Sequence, residues 1–323
     1  MTPVGVPPAL LAFLREGQRF LIAGHKEPDG DCVGSQLALA SVLRRLGAEA
    51  VPCSAGPFKR PEVVRYADLF TAEPSPSQRA GAKVVVLDCS TPDRTGDLAP
   101  FLAGLPTAVV DHHASGESAG DVAFLDPAAP SVTFMVLAVI EALGLVPTEE
   151  EAELLLFGLC TDTGFFRHVD SDGAVVFEYA ARLVAAGASP RRVFRAMHGG
   201  KSLNSRILMG LVLARAEAHF GGRLLLSYET QEDTERFGLQ GRDSDSLYQL
   251  LQSVEGAEAV VLIRQETADN CTVGLRSREG VNVAAIAAIF GGGGHKQAAG
   301  LSAPGTIAEL RQRLLAAFAE IFL

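Results

Sequence analysis

The sequence predicts an α/β protein of two domains: an N-terminal, mostly parallel sheet flanked by helices, then a smaller α/β domain with a mixed sheet. Three observations carry this. Short β-branched runs alternate with amphipathic helical patterns over the first two-thirds of the chain, and that alternation implies right-handed βαβ units. The texture changes near residue 190, beyond which two strand patterns flank a short polar turn. At 323 residues the chain also exceeds the usual size of a single core.

Taken in order, Arg19–Gly24 (RFLIAG) reads as a buried strand, followed by a polar turn and a helix from about Cys32 to Leu46. Ala82–Cys89 and Thr107–Asp111 are further β-branched runs with an acidic residue at or next to their ends. Pro74–Gln78 reads as a surface loop, and helical patterns follow at about 131–143, 149–160, 172–187 and 201–215. Ser189–Arg215 reads as one or two connecting helices, with Gly199-Gly200 as a hinge. Beyond it Arg223–Tyr228, Ala257–Arg264 and Asn270–Ser277 read as strands, the last two forming a hairpin about Thr267-Ala268-Asp269. Val281–Phe290 is a short apolar helix, a tetraglycine follows, and a final helix covers about 306–322. The expected division is residues 1–188, a helical linker 189–215, and residues 216–323. In a parallel sheet, ligands bind beyond the carboxyl ends of the strands, so the acidic strand ends fall on the edge where one site can form.

Composition narrows the function. Net charge is −10; residues 1–214 carry 18 Lys/Arg against 24 Asp/Glu, and residues 215–323 carry 10 against 14. Neither part offers the phosphate-neutralising track of a protein that grips long nucleic acid. A short or small phosphorylated substrate fits better. The chain starts without the basic region and apolar run of a signal peptide, and its longest apolar stretch, Ser131–Leu145, is shorter than the roughly 20 residues of a membrane span. We therefore expect a cytoplasmic protein with no membrane association. The five cysteines, Cys32, Cys53, Cys89, Cys160 and Cys271, form no C-x-x-C pair and read as reduced, buried apolar packing.

Four segments over 140 residues each place Asp or His just after a strand or helix: His25-Lys26-Glu27-Pro28-Asp29-Gly30-Asp31, Leu87-Asp88-Cys89, Asp111-His112-His113 and Thr161-Asp162-Thr163-Gly164. One such Asp is ordinarily a helix cap or turn residue; four converging on one sheet edge are not. Carboxylates so gathered repel one another unless cations neutralise them. Mixed carboxylate and imidazole ligands without thiolate suit Mn²⁺, with Mg²⁺ or Co²⁺ as substitutes, and six such ligands call for two ions.

These segments resemble, in order and spacing, the motifs of the DHH phosphoesterase superfamily, and Phe290-Gly291-Gly292-Gly293-Gly294-His295-Lys296-Gln297-Ala298-Ala299-Gly300 resembles the signature of the DHH-associated C-terminal domain. Within that superfamily the chain is similar to the nano-RNase group, oligoribonucleases that are also 3′-phosphoadenosine-5′-phosphate (pAp) phosphatases. The resemblance implies one metal held by His25, Asp29 and Asp88, and a second by Asp31, Asp88, His112 and Asp162, with Asp88 bridging. It implies an orienting role for Asp111 and a catalytic role for His113 facing the phosphoryl group. It also implies substrate contacts from Arg276, Gly292, Gly293, Gly294 and His295 on the second domain, with substrate between the domains. A homodimer is compatible with it. One departure stands out: Pro130-Ser131-Val132-Thr133-Phe134-Met135 lacks a Glu that family members often carry there. His168, His198 and His219 read as ordinary residues, with Arg167 a lesser candidate for a substrate contact.

Other readings share these motifs. A RecJ-type exonuclease would add basic nucleic-acid modules, a family II pyrophosphatase carries a different C-terminal domain, and a membrane-tethered cyclic-dinucleotide phosphodiesterase would carry upstream spans. A cyclic di-AMP phosphodiesterase activity stays open as an alternative. So, from a different class, does a catalytically silent nucleotide sensor, although silence typically damages the ligand set and all six residues are present.

Overall fold

The computed structural model describes residues 5–113 and 120–322. They divide into two compact units, the boundary falling between Gly200 and Lys201.

In the first unit, β1 (Arg19–Gly24), β2 (Glu49–Cys53), β3 (Lys83–Leu87), β4 (Thr107–Asp111) and β5 (Val122–Leu125) form one sheet in the order β2-β1-β3-β4-β5, every neighbouring pair parallel. Strand alternation sends Phe20, Ile22, Val85, Leu87, Ala108 and Val110 into a large core shared with the helices Gly30–Arg45, Val132–Ala142 and Glu149–Asp162. Leu21, Ala23, Val84, Val86 and Val109 face a thinner layer that includes Leu98 and Leu102. Both faces are covered, which is why these strands read as continuous apolar runs. The chain leaves β1 for β2 on one side and reaches β3 on the other. The carboxyl ends of β1 and β3 thus flank the point where the connections diverge, where α/β sheets bind ligands.

β2 and β5 were not anticipated. β2 contains Pro52, which a sheet tolerates at its edge because no ladder donor is lost, and β5 is only four residues long. The expected loop at Pro74–Gln78 contains a single helical turn, Pro76–Arg79, started by a capping box of Ser75 and Gln78. Among the described residues no helix is long and apolar enough to cross a membrane.

In the second unit, β6 (Glu217–His219), β7 (Leu224–Glu229), β8 (Ala259–Thr267), β9 (Asn270–Ser277), β10 (Gly293–His295) and β11 (Ala298–Pro304) make a mixed sheet in the order β10-β11-β9-β8-β7-β6. Only β7 and β8 are parallel. One face packs on the helices Val283–Ile289 and Ile307–Phe322, the other on Leu203–Ala214 and Ser244–Gln252. The tetraglycine is used twice. Gly291 and Gly292 end the helix by donating to the carbonyls of Ala288 and Ala287, and Gly293-Gly294 enter edge strand β10.

Candidate metal centre

β1 ends at Gly24 and delivers His25. Any side chain on Gly24 would run into Cys32 Sγ, so glycine here lets the strand end sit against the next helix. Asp29 caps that helix, its Oδ1 accepting from the backbone N–H groups of Asp31 and Cys32 at 3.1 Å each. Asp31, fully buried in the first turn, reaches the start of the helix Val132–Ala142, where Val132 N–H donates to its Oδ2 at 2.6 Å and Thr133 N–H to its Oδ1 at 2.9 Å. A helix N-terminus is a natural seat for a carboxylate. The segment that lacks the expected Glu thus serves Asp31 through its main chain.

Asp88, one residue past β3, adopts a left-handed backbone with φ of +62°, a conformation that concentrates at functional positions when found outside glycine. Its N–H donates to Val110 O at 3.1 Å. Its Oδ2 lies 3.4 Å from His25 Nε2 and its Oδ1 3.6 Å from His112 Nε2. His25 Nε2 is also 3.9 Å from Asp29, and His112 Nε2 is 3.3 Å from Asp162. Asp31, His112 and Asp162 each bring a ligand atom within 4.8 Å of the others. All six residues expected to hold metal therefore gather beyond the carboxyl ends of β1, β3 and β4.

The tautomers follow from the partners. His25 Nδ1 lies 2.8 Å from Lys26 O and His112 Nδ1 3.1 Å from Ala129 O. Carbonyl oxygens only accept, so each Nδ1 carries hydrogen and donates it. Each ring then turns its Nε2 toward carboxylate oxygens, a face that a bound cation can fill. Asp111 is fully buried and its Oδ1 accepts from the N–H of His113 at 3.2 Å and from its Nδ1 at 2.8 Å. That fixes the ring of His113, whose side chain is 40% exposed.

The electrostatics point the same way. Burial, reinforced by Asp31, Asp88 and Asp29, pushes Asp162 up to about 9. Burial also raises Asp88 well above the carboxylate range, with Asp31 and Asp29 adding to it. Asp88 Oδ1 and Asp111 Oδ2 are buried with no hydrogen-bond partner among the described residues. Clustered carboxylates, inward imidazole nitrogens and an orphaned carboxylate oxygen between two of them fit a pair of divalent cations. Cys32 also stands within reach of His25 and Asp88, but burial pushes its thiol up to about 12, and its Sγ–H donates to Gln36 Oε1. Gln36 in turn pins the ends of β1 and β2 by donating to Ile22 O and Cys53 O at 2.8 and 2.9 Å. Arg60, missed in the sequence, places Nη2 3.8 Å from Asp29 Oδ2; nothing in its local pattern marks it.

In the second unit, Arg276 on β9 and His295 on β10 lie in one row of the sheet, each opposite Ala298 of β11. Residues directly opposite share a face, so both project from the same side. His295 and Gly293 and Gly294 are exposed and Gly292 is half-buried. Arg167 is exposed, and His168 lies against Gly164.

A parallel sheet bearing this constellation at its carboxyl edge, joined to a mixed-sheet unit carrying the glycine–histidine strand, defines the class. The chain belongs to the DHH phosphoesterase family: residues 19–159 match the DHH family N-terminal domain and residues 204–322 the DHHA1 domain. It is 34% identical to the bifunctional oligoribonuclease and PAP phosphatase NrnA of Thermus thermophilus over 93% of this chain and 89% of that protein. It is 28% identical to the protein of the same name from Bacillus subtilis over 86% of this chain and 87% of that one. An exopolyphosphatase-related protein from Bacteroides fragilis shares the fold, with a TM-score of 0.77, 21% identity, and coverage of 97% of this chain and 96% of that one.

Proposed function

We propose that the protein hydrolyses short oligoribonucleotides to mononucleotides and pAp to AMP and phosphate, using two Mn²⁺ ions. The observation that carries this is Asp88 set between His25 and His112, one oxygen toward each ring. His25, Asp29 and Asp88 would hold one ion; Asp31, Asp88, His112 and Asp162 would hold the other. When bound, such a pair neutralises phosphate charge and supplies a nucleophile at neutral pH. The protein's own part is to hold the ligands. Backbone donors fix Asp29 and Asp31, and backbone carbonyls fix the two imidazole rings. Asp111 takes the Nδ1 hydrogen bond of His113, and an imidazolium held that way would present an Nε2–H able to stabilise or protonate the leaving oxygen. Arg276 and His295, with Gly292, Gly293 and Gly294, would grip the nucleotide portion of the substrate. Both named relatives act, by their names, on oligoribonucleotides and PAP, and the net charge of −10 favours substrates of few phosphates.

The test is a panel of pAp, pApA, cyclic di-AMP, and RNA of two and about 20 nucleotides, the longer chosen to need an extended basic track. Each is assayed after EDTA treatment and again with Mn²⁺ or Mg²⁺ restored. We expect Mn²⁺-dependent turnover of pAp and pApA, with catalytic efficiency falling as RNA lengthens. Preference for cyclic di-AMP would replace the substrate assignment. Metal-independent turnover, or none on any phosphoester, would overturn the mechanism.

A further inference from the structure

The sheet of the second unit carries a row of glycines. Register aligns Gly274 of β9 with Gly300 of β11 and Gly300 with Gly293 of β10, so three glycines lie side by side across three strands. The adjoining row on the same face is Arg276, Ala298 and His295. At Gly293 an added Cβ meets nothing within 4 Å, and at Gly300 only an ordinary contact with Val273 O at 3.6 Å. Packing within the chain therefore does not require glycine at either position, and glycine within a strand often marks close approach by another group. Gly274 differs. A Cβ there would lie 1.9 Å from the hydroxyl oxygen of Tyr248, so this glycine makes room for that tyrosine.

Tyr248, on the helix Ser244–Gln252, is 4% exposed, and its hydroxyl is buried without a hydrogen-bond partner among the described residues. Its ring lies under Arg276, whose guanidinium carbon is 4.6 Å from the ring centroid. Arg206, Arg215, Arg223, Arg242, Arg264 and Arg311 of this unit are each paired with a carboxylate. Arg276 has no carboxylate partner among the described residues and donates only to Leu275 O at 3.0 Å. Its charge is thus left available and its direction is set by an aromatic face.

We propose that Tyr248 is a positioning residue, holding the Arg276 guanidinium over the glycine strip so that it meets a phosphate of the bound nucleotide. This rests on the reading above that Arg276 contacts substrate. The ring, not the hydroxyl, does the positioning.

Steady-state kcat and KM would be measured on Mn²⁺-loaded protein with pApA and with bis-p-nitrophenyl phosphate. Tyr248→Phe keeps the aromatic face and should leave KM for pApA within about twofold. Tyr248→Leu removes it and should raise that KM by roughly 2- to 30-fold, the range of a cation–π contact, with kcat and the generic ester unchanged. In an Arg276→Ala background, Tyr248→Leu should add nothing. Because Tyr248 is buried, Gly274→Ala offers a second route: its methyl would displace the hydroxyl and raise KM for pApA, and Tyr248→Phe should relieve that rise. If Arg276→Ala raises KM but neither Tyr248→Leu nor Gly274→Ala does, the positioning role is wrong and the Arg276 contact stands. If Arg276→Ala leaves KM unchanged, the contact fails and the positioning role falls with it. If Tyr248→Phe raises KM as much as Tyr248→Leu, the hydroxyl and not the ring is the working group, and the proposal is overturned.

Discussion

Gly158 is where the proposed metal ligands depend on a missing methyl group. It lies in the helix Glu149–Asp162, facing the helix Gly30–Arg45, and an added Cβ would sit 2.4 Å from Thr133 Cγ2, 2.9 Å from Asp31 Oδ1 and 3.0 Å from Asp31 Cα. Carbon atoms in contact are best at about 3.5–4.0 Å, so the overlap exceeds an ångström. Neither neighbour can swing away: Asp31 and Thr133 are fully buried, and Thr133 Oγ1 is hydrogen-bonded to Ser131 Oγ at 2.8 Å. Gly34 is packed as tightly against Leu154 O, and Gly30 against Thr161, so relief requires the helices to part. Gly158→Ala gains about 1 kcal/mol of helix propensity and loses about 1–3 kcal/mol to overpacking. We expect net destabilisation of up to about 2 kcal/mol. Asp31 and Asp162 sit on the two helices that move, so Mn²⁺ affinity should fall about 10- to 100-fold, as when the supports of metal ligands are removed. Urea unfolding in EDTA gives the first quantity and Mn²⁺ titration calorimetry the second. A variant that is stabilised by its propensity gain, with unaltered Mn²⁺ affinity, would refute the reasoning.

Three further outcomes are expected. Asp88→Asn should abolish turnover and weaken metal binding while circular dichroism stays native; full activity in a folded variant would end the two-ion assignment. His295→Ala should keep both ions, since no ligand is lost, yet lower kcat/KM for pAp by about 10- to 150-fold, the range of a contact to a charged group. Bis-p-nitrophenyl phosphate should suffer much less, and equal losses on both substrates would place His295 in the catalytic centre. Asp233 is held below the usual carboxylate range: burial opposes this, but Arg215 and Thr230 outweigh it. A depressed folded-state pKa contributes stability above the unfolded value, and that contribution is lost as pH falls through the folded value. Asp233→Asn should therefore cost about 1.5–3 kcal/mol at neutral pH, and the gap from wild type should narrow steadily in urea titrations below about pH 4. A gap that stays constant into acid would count against the ion pair.

Much of the candidate site could be read from residues because its parts advertise themselves. β1, β3 and β4 are buried on both faces and so appear as unbroken apolar runs, and His25, Asp88 and Asp111 stand at or just past their ends. What could not be read is carried by the main chain or by distant partners. The N–H groups that hold Asp31 belong to residues 101 and 102 positions away, and a backbone donor has no residue signature. β10 is two glycines and a histidine; it has no strand pattern of its own and is a strand because β11 pairs with it. Arg60 reaches Asp29 from an irregular segment with no periodicity to announce it. The sheet register that aligns Gly274, Gly300 and Gly293 exists only after three separate strands are paired.

The seating of Asp31 also bears on how this chain can vary through evolution. Its carboxylate is held by peptide groups, so the side chains at 132 and 133 are free to change within the limits of packing, and the loss of an acidic residue from this stretch leaves that support standing. Proline is the exception. At either position it would delete a donor to Asp31, so drift here is confined to side chains that fit two fully buried positions, proline being barred by the main chain as well.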